Sequence, residues 1–499
     1  MSVLHPLRLV TPALLAAVSL WLFLGNPLDR DGDGVGGSWG HRLDCDDRSP
    51  TVYPGAPDIP LNARDEDCDG LDSARGSNVI LITLDALRAG HLGSYGYPRD
   101  TSPNIDKIAS EGVLFTNAFS QSSWTIPSLA SLLTSMYPGQ HGAHHSVKGA
   151  SGLSQNVPLV TDVLKNAGYE TAAFLSSAYP LLELGFSRSF DLYGTDAETN
   201  TRTIRKWMRE RRHRKFFVWL HYFKPHIPYF PSYRSDGLFV KEHVREYRHI
   251  ARYWEKEECN DRYVNTPEQA RIRMAFYDEC IRDSDDRVGE VMDELEQLHL
   301  VGKTLVIVSS DHGEEFFEHG GCDHGQTLYD EVIHVPLIMR HPAVIGRGTV
   351  REAQVRIIDI APTIIDMLEL GGGEEFRGRS LLEHIRGEDR DRPVFGGYLI
   401  HGERAVALRQ NGFKFIYFPS TRIEEFYDLR IDSEERRNLL RTMDPRVKRF
   451  RQRIGKWIDR TKTKYSPRAV EFDEETIKKL KSLGYVTSGG PMGQSKGGG

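Results

Sequence analysis

No excess of positive charge runs through this chain. Its 64 lysines and arginines are outnumbered by 70 aspartates and glutamates, for a net charge of −6, which argues against a nucleic-acid partner. Cysteine is scarce, five in 499 residues, too few for a disulfide-built scaffold. Apolar runs of membrane length are lacking as well. Only residues 9–24 come near, broken by Thr11, Pro12 and Ser19, and they fall short of the ~20 residues of a span. With His5 and Arg8 ahead of it, that run reads as the core of an export signal in residues 1–28. No clear Ala-x-Ala cleavage site follows, so an uncleaved N-terminal membrane anchor stays open. Either form sends the protein to a periplasm, a cell surface or the extracellular space.

The negative charge is concentrated in one place. From Asp29 to Asp72 there are 12 acidic and 4 basic residues, a net of −8, and subtracting −8 from −6 leaves +2 for the rest. Within this segment, residues 29–77, Asp29, Asp31 and Asp33 precede Gly34, and Asp65, Asp67 and Asp69 precede Gly70. Alternating carboxylates ahead of a glycine turn suit calcium. Position twelve of the first loop is Gly40 rather than glutamate, so the loop is not an EF-hand. A flexible acidic linker is the plainer alternative. Cys45 and Cys68 flank the segment and are expected to pair in an oxidising compartment. Cys259 and Cys280 form the next candidate pair, with Cys322 left over.

What the chain does have is a repeated pattern of buried strands. Residues 78–85 (NVILITLD), 216–221 (FFVWLH) and 304–311 (TLVIVSSD) are short apolar runs rich in β-branched residues, each ending on a metal-ligating side chain. Such runs suit strands buried on both faces. Between them lie helical patterns, at 157–167 and 275–298. The alternation predicts an α/β fold: a mostly parallel central sheet with helices on both faces, plus a smaller C-terminal α+β subdomain. The expected division is a catalytic domain over 78–342, its C-terminal part over 343–486, and a Gly- and Ser-rich tail over 487–499. Ligands of such sheets bind at the carboxyl ends of strands, where Asp85, His221 and Asp311 all fall.

Three stretches carry candidate chemistry. Pro127 suits the first turn of a helix, which puts Thr125 just before a helix N-terminus, where an anion is favoured. A hydroxyl there can attack a phosphoryl or sulfuryl centre if a metal lowers its pKa, although an N-capping threonine is the commoner outcome for such a residue alone. Asp311 and His312 follow a buried strand, with His319 and His324 close behind on a glycine-rich loop; hard carboxylate and imidazole together suit a divalent ion. His226, after Pro225, can protonate a leaving oxygen. Residues 445–465 are basic, with Val447, Phe450, Ile454, Trp457 and Ile458 on one helical face, either capping a domain or touching anionic lipid.

Taken in order, these motifs resemble the sulfatase family of the alkaline phosphatase superfamily. Residues 78–96 (NVILITLDALRAGHLGSYG) resemble its opening, as do 101–106 and 112–118. The Thr125 stretch matches its nucleophile motif, 310–315 (SDHGEE) and 324–336 (HGQTLYDEVIHVP) its second metal motif, and 425–439 its C-terminal signature. The resemblance implies that Asp85, Thr125, Asp311 and His312 bind one divalent metal and that Thr125 forms the covalent intermediate. It implies that His226 and His324 hold the transferred group or assist the leaving group.

The departures matter. Sulfatases carry a cysteine or serine that becomes formylglycine, with arginine four residues on; here those positions are Thr125 and Leu129. Ala86 replaces the second of two paired aspartates, His312 replaces an asparagine, and residues 172–177 (AAFLSS) stand where a sulfate-binding segment is usual. Fewer carboxylates and an added imidazole favour manganese or zinc, with calcium or magnesium open. Lys224 replaces an acidic residue and is expected to supply the charge of a second ion. These changes favour a phosphoester or phosphodiester hydrolase or transferase acting on an envelope glycan or lipid. The alternatives are a sulfatase working without formylglycine and a non-catalytic surface binding protein.

Overall fold

The computed structural model describes residues 46, 48–53, 56, 66, 68, 74, 76–146, 149–175, 184–195, 201–240, 267–388, 390–397, 405–440, 444–462, 464–470 and 474. The chain divides into two units, Met1–Arg75 and Gly76–Gly499. In the first, Val52 and Ala56 are buried, and Tyr53 N donates to Glu66 O at 2.8 Å. The candidate calcium ligands Asp29, Asp31, Asp33, Asp65, Asp67 and Asp69, and the apolar run 9–24, lie outside the described residues. Among the described residues no helix is long and apolar enough to cross a membrane.

The second unit is built on an eight-stranded sheet. Its strands are β1 (Asn78–Leu84), β2 (Val113–Phe119), β3 (Glu170–Leu175), β4 (Leu192–Thr195), β5 (Phe216–Tyr222), β6 (Thr304–Ser310), β7 (His334–Arg340) and β8 (Thr349–Arg356). They run in the order β8-β2-β7-β6-β1-β5-β3-β4. All neighbours are parallel except β7, which runs against both β2 and β6. The three central strands β6, β1 and β5 are the three apolar runs, and every residue in them is buried. That is why they read as continuous apolar runs rather than alternating ones. β8 lies beyond the boundary expected at residue 342, yet pairs with β2 in this sheet.

The helices are α1 (Pro103–Ser110), α2 (Thr125–Thr134), α3 (Val160–Asn166), α4 (Thr201–Glu210), α5 (Pro267–Gln297), α6 (Ile360–Met367) and α7 (Pro445–Arg460). α1, α4 and α5 cover one face, where Ile105, Ile108, Trp207, Met208, Phe276, Ile281 and Val291 meet Ile80, Ile82, Val218, Leu220, Val306 and Val308. α2, α3 and α6 pack together, α3 also against β3.

A second sheet is a simple antiparallel meander of β9 (Val394–Gly397), β10 (Val406–Gln410), β11 (Phe413–Phe418) and β12 (Ile423–Asp428). Val447, Phe450, Ile454 and Trp457 of α7 close over Val406, Leu408, Phe415 and Phe426. The apolar stripe of the basic helix is therefore spent on the protein's own core. Of its two sequence readings, capping a domain is the one the packing supports.

The cysteine pairing differs from expectation. Cys68 and Cys322 are each in a disulfide, while Cys280, buried on α5, keeps its thiol. The expected Cys259–Cys280 bond with Cys322 left over is thus overturned. Periodicity places Cys280 in the apolar face of α5, among Phe276, Ile281 and Val288, and a thiol there behaves as a small hydrophobe. Cys45 and Cys259 lie outside the described residues.

One buried ion cluster ties two of the recognised motifs together. Lys414 on β11 is fully buried, its Nζ 2.8 Å from Asp330 Oδ1 and 2.8 Å from Glu435 Oε1. Asp330 comes from the second metal motif and Glu435 from the C-terminal signature. Removing the ammonium leaves the buried Glu435 carboxylate without its cation, beside an Asp330 that retains Arg409 Nε at 3.2 Å, a loss of about 3–5 kcal/mol. Lys414→Met is therefore expected to lower the denaturant midpoint of unfolding by that equivalent. An unchanged midpoint would show the cluster to be dispensable.

Candidate active site

The three central strands deliver their terminal residues side by side because they are in parallel register: Leu84 pairs with Tyr222 on one flank and Ser310 on the other. The next residue on β1 is Asp85, the next on β6 is Asp311, and His221 is the penultimate residue of β5. All three are buried. Ligand atoms of Asp85, Asp311 and His312 lie within 4.8 Å of one another. His312 Nε2 is 3.4 Å from Asp85 Oδ1 and 3.4 Å from Asp311 Oδ2. Its Nδ1, 2.8 Å from Gly313 O, makes the donor's contact to a carbonyl, which turns the Nε2 lone pair toward the two carboxylates. Asp311 Oδ1 accepts from Ala86 N and His312 N, at 3.2 and 3.0 Å. Its Oδ2 is buried with no hydrogen-bond partner among the described residues.

Thr125 enters from α2. The helix begins at Thr125 itself, one turn position earlier than Pro127 alone suggests, with Trp124 as N-cap and Pro127 inside the first turn. Thr125 is 3% exposed, and its Oγ1 lies 3.1 Å from His312 Nε2. A hydroxyl at a helix N-terminus, beside two carboxylates and an imidazole, is unusual unless something cationic or anionic is to be gathered there.

Two more histidines close the cluster. The ring centroids of His312 and His324 are 4.3 Å apart, and those of His324 and His226 are 4.7 Å apart. Trp124 lies 5.2 Å from His324 by the same measure. Burial drives His226 well below the usual imidazole range, with the neighbouring His324 and His312 adding to it. His221, 3.5 Å from Asp85 Oδ2 and 2.9 Å from Thr83 Oγ1, is pushed down to about 4 by burial. Burial opposes ionisation of Asp311, but His312 and His221 outweigh it and hold its carboxyl below the ordinary range. Burial raises Glu314 to about 7, against the pull of Arg273.

The structure thus brings together Asp85, Thr125, Asp311, His312, His226 and His324. It accounts differently for two other residues. Lys224 Nζ is 2.8 Å from Asp283 Oδ2, so a carboxylate on α5 already balances its charge. His319 contacts Glu331 Oε1 at 2.5 Å through Nδ1 and Glu435 O at 3.1 Å through Nε2; with both ring nitrogens engaged, it works as a structural tie. Two residues given no role by the sequence belong here, His221 and Glu314. His221 had a signal, its place at a strand end; Glu314 had only its place between two histidines in the 310–315 (SDHGEE) motif.

Comparison with known proteins decides the family. Residues 77–370, more than half of the chain, match the sulfatase family profile. The chain belongs to the sulfatase family. It is therefore an enzyme of that family's ester-hydrolase type, with the alkaline phosphatase-like fold. Residues 317–464 of this sulfatase-family chain also match the C-terminal region of N-sulphoglucosamine sulphohydrolase, and residues 44–73 a metal-binding motif. It is 26% identical to human N-acetylgalactosamine-6-sulfatase over 64% of this chain and 67% of that one. It is 24% identical to an arylsulfatase of Clostridium perfringens over 73% of this chain and 90% of that one. Among solved structures it resembles a protein in complex with its substrate D-glucosamine-2-N,6-O-disulfate, with TM-score 0.67, 19% identity and coverage of 78% of this chain and 98% of that one. It also resembles the phosphonate monoester hydrolase of Agrobacterium radiobacter, with TM-score 0.64, 18% identity and coverage of 80% and 98%.

Proposed function

We propose that this sulfatase-family enzyme cleaves phosphorus esters, monoesters or diesters, with Thr125 as nucleophile and a divalent metal held by Asp85, Thr125, Asp311 and His312. The observation that carries the reading is Thr125 Oγ1 at 3.1 Å from His312 Nε2, against the Asp85, Asp311 and His312 cluster. The donors fit a cation: two carboxylates, an imidazole with its lone pair turned inward, and a buried carboxylate oxygen on Asp311 that no hydrogen bond satisfies. Carboxylate with imidazole suits manganese or zinc better than calcium or magnesium. Bound there, the ion would lower the pKa of the threonine hydroxyl and stabilise charge on the ester oxygens.

The chain's own residues supply the rest. Thr125 Oγ forms the new bond to phosphorus while the ester oxygen leaves, giving a threonine-linked intermediate that water or an acceptor alcohol resolves. His324 supports the leaving oxygen. His226, neutral and with Nδ1 on Ile227 O, has its ring centroid 4.7 Å from that of His324. The same loop carries Lys224, whose Nζ is 2.8 Å from Asp283 Oδ2. Threonine cannot become formylglycine, which is why phosphorus is preferred over sulfur.

A second reading, sulfuric esters of a glycan, is favoured by the names of the relatives, N-acetylgalactosamine-6-sulfatase among them. Offering bis(4-nitrophenyl) phosphate, 4-nitrophenyl phosphonate esters and 4-nitrophenyl sulfate, each with manganese, zinc or calcium, separates the two. Turnover of the sulfate alone would overturn the phosphorus reading; turnover of none, with no metal bound, would leave a binding protein. An exported enzyme acting on an envelope glycan or lipid fits the disulfides at Cys68 and Cys322, which persist in oxidising compartments.

The acidic segment is a separate proposal. The metal-binding motif match over 44–73 and the paired Asp-x-Asp-x-Asp-Gly loops support calcium binding. Replacing Asp65, Asp67 and Asp69 by Asn in the full chain is expected to remove calcium from equilibrium dialysis while leaving manganese or zinc content intact. Unchanged calcium binding would return the segment to a linker.

A further inference from the structure

We infer that Glu314 is the positioning residue of the site: one carboxylate that fixes the orientation and tautomer of His324 and couples it to the loop carrying His226. The inference rests on the reading of the site given above and deepens it.

The geometry begins with a short hairpin. Glu315–Phe316 pairs antiparallel with Cys322–Asp323, with Asp323 opposite Glu315. Continuing that register by one residue on each strand sets Glu314 against His324. Glu314 Oε1 is 2.8 Å from His324 Nδ1, and its Oε2 accepts from Tyr229 Oη at 2.9 Å. Glu314 and His324 are buried, as is Tyr229. Tyr229 follows His226 by three residues, so the two oxygens of one carboxylate grip the two segments that present the two histidines.

The rest of the neighbourhood holds that carboxylate still. Arg273 of α5 is buried and paired with Asp323, the residue before His324. Its guanidinium also lies 5.6 Å from the Tyr229 ring centroid. Cys322, two residues before His324, is disulfide-bonded. The imidazole cannot flip without leaving a buried carboxylate oxygen unsatisfied. A second hydrogen bond that selects which ring nitrogen works is how a histidine is tuned.

Glutamine at 314 keeps the shape but offers an amide that can either donate or accept. The experiment uses the full chain with its metal, labelled with 15N-histidine, and Glu314→Gln, Tyr229→Phe and His324→Asn variants. His324 is assigned as the resonance missing from His324→Asn. In the unmodified protein His324 is expected to carry its proton on Nδ1; in Glu314→Gln it is expected to become a mixture of tautomers or the opposite one. On whichever ester the panel selects, kcat of Glu314→Gln is expected to fall on the order of 100-fold, with KM and metal content unchanged. The Glu314→Gln/His324→Asn double variant is expected to be no slower than His324→Asn alone, since the carboxylate acts through that ring. An unchanged tautomer in Glu314→Gln overturns the inference, as does a double variant slower by the product of the single effects. Loss of bound metal from Glu314→Gln also overturns it, by making Glu314 a support of the cation. The tautomer readout needs no turnover, so failure of the phosphorus-ester reading and failure of this inference are told apart.

Discussion

Thr125→Ala is expected to lose turnover by about three orders of magnitude or more on every ester the enzyme accepts, because the proposed covalent route runs through the Thr125 hydroxyl. The structure sets the contrast variant. Thr125 starts α2, is 3% exposed and has its Oγ1 at 3.1 Å from His312 Nε2. Serine preserves that oxygen and the helix start, and removes one buried methyl. Thr125→Ser should therefore keep activity within about 100-fold while giving up roughly 1 kcal/mol of stability. Mass spectrometry of acid-quenched enzyme with a phosphodiester should find phosphate on residue 125 in the parent and in Thr125→Ser. The nucleophile assignment fails if Thr125→Ala retains activity comparable to Thr125→Ser. Formation of the same adduct on another residue would redirect it.

The second large effect concerns metal content. Asp311→Asn is expected to drop bound divalent metal from near one equivalent per chain to a small fraction, with activity falling alongside. Asp311 Oδ1 is held by two backbone N–H groups and Oδ2 has no hydrogen-bond partner. Its substitution removes an inward oxygen without unseating the backbone. Asp85→Asn should behave likewise. Stability supplies a readout independent of substrate. A ligand at 100 times its Kd stabilises by ~2.7 kcal/mol, so manganese or zinc should raise the melting temperature of the parent and leave Asp311→Asn unmoved. Without metal the order reverses: Asp85 and Asp311 are buried together, and neutralising one relieves their repulsion. The metal-free variant should melt above the metal-free parent. Equal metal content in parent and variant, measured by inductively coupled plasma spectrometry, would place the cation elsewhere.

Lys414 and the acidic segment test different parts of the molecule. The first concerns the joint between the second sheet and the motif that ends at Pro336; the second concerns the unit before residue 76. Neither shares residues with the site, so their outcomes add to, rather than repeat, the tests on Thr125 and Asp311.

Much of the site could be read along the chain because parallel strands buried on both faces advertise themselves as uninterrupted apolar runs. Where a run stops on Asp85, on His221 or on Asp311, the register of β6, β1 and β5 makes those stops neighbours. Thr125 was legible for a local reason too: a proline in a first turn announces a helix start within a residue or two. Residues that depend on contacts distant in sequence were not legible. Lys224 meets Asp283 across 59 positions, and nothing in either local sequence names the other. The cysteine pairing failed for the same cause, since the sequence offers Cys280 as a candidate partner of Cys259 while the α5 face buries it among apolar side chains. The strand Thr349–Arg356 joined the main sheet by pairing with β2, more than two hundred residues earlier in the chain, which no local boundary signal records.

By itself, then, the sequence determined the α/β layout, the sulfatase-type order of motifs and the identity of the groups at the carboxyl edge of the sheet, because periodicity and turn chemistry are local properties. Only the tertiary structure decided which side chains satisfy one another there: Asp283 takes Lys224, Glu331 takes His319, and Glu314 takes His324 and Tyr229 together. Buried polar atoms must find partners, and several of these partners come from segments that only folding brings together.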